Sequence, residues 1–231
     1  MTHEAKIHEA QTIILRELLF LPSAPFSSLQ KKAGLESDHF KFHIAQLVKA
    51  GYIEKKGSLY QLTQFGKEYA NKLDTDMNVI ERQPKSAVII VAQDNNKVLV
   101  QERLKHPYYG FWGYPGGKIR WGETIMQAAA RELKEETGLS ANMTYQGVYH
   151  EHVRSAESGE FLEDKIFHVL SAHDTSGDLK DEFDGGRNAW MTLEELGSVD
   201  KKYLSTDIET SVGLGKVPFI EKTQVYSREE F

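Results

Sequence analysis

The chain has 231 residues with 34 acidic and 28 basic side chains, a formal charge of −6 at pH 7 with histidine neutral. Hydrophobic residues make up 40% and charged residues 27%, a balance that excludes disordered and fibrous classes and fits one or two globular domains. There is no cysteine, which excludes disulfides, thiolate nucleophiles, thiolate zinc sites and iron–sulfur clusters, so any metal must be held by oxygen or imidazole.

The longest purely apolar run, Ala87 to Ala92, is too short to cross a bilayer, and the opening MTHEAKIHEA lacks a signal-peptide core. A cytoplasmic protein with no membrane partner is expected. Charge divides the chain unevenly, with net +1 over residues 1–78 and −7 over the remainder. The polar stretch DTDMNVIERQPKS, with Pro84, lies between the two parts. The expected organisation is a first domain over 1–78, a linker over 79–86 and a second domain over 87–231.

In the first segment, Ile14, Leu18 and Leu21 recur at helical spacing within Ile7 to Leu21, and Pro22 and Pro25 end that helix. A second helix is expected over Ser27 to Ala33 with Gly34 as its C-terminal cap. Ser37 or Asp38 is expected to cap a third, which ends at Gly51 and carries Phe40, Ile44, Leu47 and Val48 on one face. YIEKKGSLYQLT reads as a hairpin turning at Lys56-Gly57-Ser58, and Gln64 to Leu73 as a closing helix.

The run HFKFHIAQLVKAGYIEKKGSLYQLTQFG resembles the winged helix-turn-helix family of bacterial and archaeal regulators over about a third of the chain. In that family the third helix enters the major groove and the wing touches backbone. The resemblance implies double-stranded DNA as a partner, read by His39, Lys41, His43 and Gln46 on the helix, with Lys55, Lys56 and Ser58 on the wing. It also implies a homodimer, since paired winged helices read paired half-sites. A net +1 is a small electrostatic footprint, and a module for dimerisation or interdomain contact remains the alternative.

The second segment opens with AVIIVAQDNNKVLVQER, a strand-turn-strand pattern around Asp94-Asn95-Asn96. Next comes GFWGYPGGKIRWGETIMQAAARELKEETGLS. Gly110, Gly113, Gly116 and Gly117 allow backbone to approach a ligand, Thr124 and Gln127 have capping-box spacing, and Gly138 can end the helix they begin. At about 100° per residue from Ile125, Glu132 falls near 340°, Glu136 near 20° and Glu135 near 280°. The three carboxylates and Ala128 therefore share one arc, with Met126, Ala129 and Leu133 expected toward the core. Like charges so placed repel, and a divalent cation among them reverses the sign. Hard oxygen donors favour Mg2+ or Mn2+, whereas three glutamates taken alone are most often a solvated acidic face.

The wider pattern decides between these. Gly117, five residues, Glu123, seven residues, then Arg131-Glu132-Leu133-Lys134-Glu135-Glu136-Thr137-Gly138-Leu139 is identified as the signature of the Nudix family. Nine specified positions in that window would coincide by chance less than about once in a million chains. The resemblance implies an α+β chain, with the winged helix-turn-helix domain followed by a Nudix α/β/α sandwich on a mixed sheet. It also implies hydrolysis of a nucleotide-type small molecule, a nucleoside diphosphate linked to another moiety, by attack of water on phosphorus. Glu132, Glu135 and Glu136 are then the metal-binding carboxylates, completed by the Gly117 carbonyl, and Arg131 with Glu123 orients them.

The resemblance also implies a further base from the loop before a late strand, here LKDEFDGGRNAWMTLEEL, with Asp184 or Glu182 as candidates and Glu160, Glu163 and Asp164 as rivals. Tyr108 and Tyr109 are candidate stacking groups, Arg103 and Lys105 candidate phosphate contacts, and Trp112 and Trp190 core residues. His150 and His152 point to one face of a strand but lack a third ligand at recognisable spacing. No proline stands at Val153 to Ala156, which disfavours the ADP-ribose branch of the family. A sensor of a nucleotide-like effector that regulates transcription is the alternative reading of the whole chain.

Overall fold

The computed structural model describes residues 7–74 and 80–231 and divides into two compact units, Met1–Arg82 and Gln83–Phe231. Residues 75–79, within the expected boundary stretch and including the first residue of the expected linker, lie outside the described residues.

Unit 1 runs α1 (Glu9–Leu19), β1 (Ala24–Pro25), α2 (Phe26–Ala33), α3 (Ser37–Lys49), β2 (Ile53–Lys56), β3 (Leu59–Leu62) and α4 (Gln64–Ala70). Ile14, Leu15 and Leu18 of α1, Leu29 of α2 and Phe40, Ile44 and Leu47 of α3 form one buried core. Gly34 adopts φ 65° and donates its N–H to the Gln30 carbonyl, the left-handed cap expected for α2.

Several expectations shift. Helix α1 stops before Leu21, which is exposed, and α3 is capped by neither Ser37 nor Asp38, since Ser37 already lies within the helix and Glu36 precedes it without a side-chain cap. Val48 is exposed because it lies about 100° around the helix from buried Leu47. Helix α4 ends at Ala70, short of Leu73. The hairpin gains a third strand, β1, paired to β3. Gly66 has a packing reason, because a Cβ there would overlap the Tyr52 carbonyl oxygen. Thr63 fixes this junction by accepting from Gly66 N at 3.0 Å and donating to Gly51 O at 2.6 Å.

Unit 2 runs β4 (Lys85–Asp94), β5 (Lys97–Arg103), β6 (Trp112–Gly113), β7 (Gly116–Lys118), α5 (Ile125–Thr137), β8 (Ser140–Ser155), β9 (Phe161–Ser176), β10 (Glu182–Phe183), β11 (Gly186–Met191), α6 (Leu193–Gly197), α7 (Thr206–Gly213) and β12 (Phe219–Tyr226). Asn95 and Asn96 both take positive φ, 45° and 69°, as a two-residue hairpin turn demands. Strands β4 and β5 pair only beside that turn, then part, β4 toward β9 and β5 toward β11.

The resulting sheet has the order β10-β11-β5-β4-β9-β8-β12, with β6 on β5 and β7 on β4. It is mixed, since β4 and β9 run parallel, as do β12 and β8. Alternate residues of β4 serve two cores: Val88, Ile90 and Ala92 pack under α5 with Ala129 and Leu133, while Ile89 and Val91 pack with Leu196 of α6 and Val212 of α7. Burying a side chain such as Leu133 is worth about 2 kcal/mol. This is the α/β/α layering expected of the second segment. Its last strand, β12, buries Tyr226, so the stretch after Gly213 packs on the unit. No helix among the described residues is long and apolar enough to cross a membrane.

Candidate active site

Helix α5 begins with the capping box expected from its sequence: Gln127 N donates to Thr124 Oγ1 at 3.2 Å, and Thr124 N donates to Gln127 Oε1 at 2.9 Å. It ends at Gly138, φ 77°, whose N–H bonds the Lys134 carbonyl. The acidic arc is partly covered. Ala128 is fully buried, while Met126, expected in the core, is exposed. Helix α5 packs against β7, which brings the Glu132 carboxylate over Gly117, where a Cβ would overlap it. The glycine is thus required by the carboxylate rather than by a turn.

Arg131 holds the cluster. Its Nε donates to Glu123 Oε1 at 2.5 Å and its Nη2 to Glu123 Oε2 at 2.8 Å, a bidentate pair. Its Nη1 reaches Glu132 Oε1 at 2.6 Å and Glu135 Oε2 at 3.4 Å, and Nη2 also reaches the Lys118 carbonyl at 3.1 Å. Hydrogen bonds from Arg131 hold the Glu123 carboxyl down at about 2. Arg120 adds a contact to Glu135 Oε2 at 3.2 Å.

Glu136 behaves differently. Burial pushes its carboxyl up to about 7, against the Gln101 hydrogen bond that favours its charged form; the neighbouring Glu132 charge raises it further, while Lys105 and Arg103 oppose. Gln101 of β5 donates to Asn188 of β11 at 3.0 Å, and Asn188 donates to the Glu136 carbonyl at 3.0 Å, so two strands position the last turn of α5. The donor set is oxygen throughout, as a hard divalent cation requires: Glu132, directly over the Cβ-free Gly117 backbone, and Glu136 line the same cleft, while Glu135 stands more exposed on Arg120 and Arg131.

A cleft of about 780 Å³ runs past these groups. Gly117, Glu132 and Glu136 line it together with Arg103 and Lys105, and its other walls carry Glu151, Glu163 and Lys165 of β8 and β9, Glu209 of α7, and Tyr108, Tyr114, Phe167 and Tyr203. Arg103 and Lys105 therefore stand where a phosphate contact was expected, although Arg103 Nε also donates to the Pro107 carbonyl at 2.6 Å.

Asp184 does not join the site. It is exposed in the turn between β10 and β11, where its neighbours Phe183 and Gly185 face the cleft and Asp184 and Glu182 do not. Of the rival carboxylates, Glu163 lines the cleft, ion-paired to Lys165 and Lys85. Tyr108 is buried among Phe111, Tyr203, Tyr226 and Phe231 and donates to Glu163 at 3.3 Å, so it is a wall rather than a free platform; Tyr109 is exposed. Trp112 and Trp190 pack against the two cores. Glu151 and Glu209 escaped sequence reasoning, although Glu151 lies in an alternating run between His150 and His152, and an acid on the inward face of a strand is a signal.

In unit 1, His39, Lys41, Gln46, Lys55 and Lys56 are exposed. His43 is not an outward residue: its ring lies 4.4 Å from that of His8, and burial together with the His8 charge lowers its pKa. Lys41 pairs with Asp38 at 3.0 Å and Lys56 with Glu54 at 3.2 Å, which reduces the positive charge this surface presents.

A family model described as the NUDIX domain matches residues 82–210, more than half of the chain. The chain belongs to the Nudix family. It is 37% identical over 87 residues to an ADP-ribose pyrophosphatase of Methanocaldococcus jannaschii, covering 36% of this chain and 52% of that protein. It is 44% identical over 54 residues to an 8-oxo-dGTP diphosphatase of Proteus vulgaris, covering 23% and 48%. The chain thus spans about half the length of these curated relatives. Among solved structures, the MutT protein of Bacillus halodurans superposes with a TM-score of 0.52 at 20% identity, over 64% of this chain and 93% of that one, a likeness of fold.

The Nudix cleft makes a pH prediction. Burial lifts the Glu209 carboxyl to about 7, against a hydrogen bond from Ser205 at 2.7 Å. The unfolded group ionises near 4.5, so folded stability is full below that pH and is lost as pH rises through about 7. Glu209→Gln is expected to stabilise the metal-free unit by roughly 2–3 kcal/mol at pH 8 and by nothing near pH 4. Urea unfolding followed by tryptophan fluorescence checks this, since Trp112, Trp121 and Trp190 all lie in unit 2.

Proposed function

We propose that unit 2 is a divalent-metal-dependent pyrophosphohydrolase that cleaves a nucleoside diphosphate linked to another moiety, with water attacking phosphorus and two phosphate esters as products. The observation that carries this reading is the clamped carboxylate cluster: Glu132 over Gly117 and Glu136 in a cleft that also holds Arg103 and Lys105, with Arg131 locked onto Glu123 and reaching Glu132 and the more exposed Glu135. Glu132, Glu135, Glu136 and the Gly117 carbonyl would hold Mg2+ or Mn2+. Bound there, such an ion neutralises phosphate charge and lowers the pKa of an attacking water.

The chain's own residues supply the rest. Arg131 holds Glu132 and Glu135 in fixed rotamers, which removes the cost of ordering them during reaction. Arg103 and Lys105 meet the negative charge of the diphosphate, while Tyr108, Tyr203 and Phe167 wall the cleft against water. Relatives named for ADP-ribose and 8-oxo-dGTP support a nucleotide-type substrate, without selecting one. A panel of nucleoside triphosphates, ADP-ribose, nicotinamide dinucleotides and nucleotide sugars, assayed with Mg2+ or Mn2+, tests the proposal. Turnover of one compound should fall on the order of 100-fold or more in Glu136→Gln with little change in thermal stability. Hydrolysis that survives the substitution would contradict it.

For unit 1 we propose a winged helix-turn-helix that binds double-stranded DNA as a homodimer, so that the Nudix unit can also serve as the sensor of a transcriptional regulator. The succession α2, Gly34, α3 and the β2–β3 hairpin favours this reading, with His39, Lys41 and Gln46 on α3 and Lys55 and Lys56 at the wing. The double variant Lys41→Ala, Lys55→Ala is expected to weaken DNA binding and to lower the slope of log affinity against log salt by about 2, leaving hydrolysis unchanged. A salt slope equal to that of the parent would remove these two lysines from the interface.

A further inference from the structure

The sheet of unit 2 has two faces, and alternation along β8 and β9 separates them. Tyr149, Glu151 and Val153 are buried on one face, and Glu151, Glu163 and Lys165 line the cleft. His150, His152 and Asp164 lie on the other, the face that α5 also covers, but none of the three lines the cleft that Glu132 and Glu136 enter. In register, His152 stands opposite Asp164, and His150 stands beside Glu221 of the parallel strand β12.

His150 Nε2 lies 2.9 Å from one Asp164 oxygen, and His152 Nε2 lies 3.8 Å from the other. One ligand atom from each of the three residues falls within 4.8 Å of the others. Tetrahedral bonds of about 2.0–2.1 Å place ligand atoms roughly 3.3 Å apart, so small side-chain rotations bring this set onto one ion. A second observation concerns the far side of the ring: His150 Nδ1 lies 2.8 Å from Glu221 Oε2. A carboxylate behind a ligating imidazole fixes its tautomer and raises its basicity, the usual support for a metal-bound histidine. His150 and His152 retain side-chain exposures of 20% and 26%, enough for an ion to enter from solvent.

We infer that His150, His152 and Asp164 form a second metal site, selective for Zn2+ and similar transition ions, in which Glu221 positions His150 and the fourth coordination place is open. Two imidazoles and one carboxylate suit Zn2+, whereas Mg2+ prefers the all-oxygen set on α5. The ligands come from β8 and β9, and Glu221 brings in β12, so the ion ties the C-terminal edge strand to the sheet.

The test is Zn2+ uptake by the full chain in equilibrium dialysis, with Mg2+ in saturating excess to occupy the carboxylates of α5. The parent should bind one equivalent more than the double variant His150→Ala, His152→Ala, and Zn2+ should slow amide exchange in β12 of the parent alone. Glu221→Gln should weaken this uptake roughly 10–100-fold, and hydrolysis of the Nudix substrate should be unchanged in each variant. Asp164→Asn gives the same reading should the double variant fold poorly. Equal Zn2+ uptake by parent and variants, or none by the parent, would show that His150 merely bridges Asp164 and Glu221 through hydrogen bonds, and would overturn the proposal.

Discussion

Everything at the centre of this molecule turns on one guanidinium. Three glutamates on adjacent turns of α5 repel one another, and Arg131, joined by Arg120 at Glu135, supplies the positive charge that makes the arrangement tolerable. Its donors are shared among Glu123, Glu132, Glu135 and the Lys118 carbonyl. A lysine at this position has no planar fork and could not serve these acceptors together. Glu123, held ionised by the bidentate pair, leaves the guanidinium aligned and its Nη1 free to restrain Glu132 and Glu135, two of the proposed metal ligands.

The surrounding fold serves that geometry. Helix α5 must sit close enough to β7 for Glu132 to lie over Gly117, which requires small residues at Ala128 and Ala129 beneath it and the absent Cβ at Gly117. Gln101 and Asn188 then fix the last turn from the sheet. The cleft so formed combines basic Arg103 and Lys105 with a set of largely buried acids, Glu151, Glu163 and Glu209, of which Glu151 and Glu163 pair with Lys165 and Glu163 also with Lys85. A cleft of this polarity suits the charged diphosphate proposed above and offers hydrogen-bond acceptors beside it.

Local chemistry was legible in the sequence where spacing alone determines geometry. The capping box of Thr124 and Gln127, the stop at Gly138, the Asn95-Asn96 turn and the shared face of the three glutamates all follow from residues a few positions apart. What could not be read depended on distant chain segments. Met126 turned outward and Ala128 inward because β7 occupies the acidic side of α5, and no periodicity within α5 announces β7. His43 packs on His8, from the start of a different helix. Loop position alone points to Asp184, yet the cleft takes its additional carboxylates from the inward faces of β8 and β9 and from α7. Likewise, the partners of His150 lie 14 and 71 positions away, joined only by strand register.

The central claim is that Arg131 organises the carboxylates for a divalent ion rather than serving as a surface ion pair. The most direct measurement is Mn2+ affinity, read from the electron paramagnetic resonance of free Mn2+ in competition with Mg2+, for the parent and for Arg131→Lys. The account predicts a loss of roughly 10–100-fold in affinity with the thermal unfolding of the unit nearly unchanged. Parent-like Mn2+ affinity in the variant would contradict it.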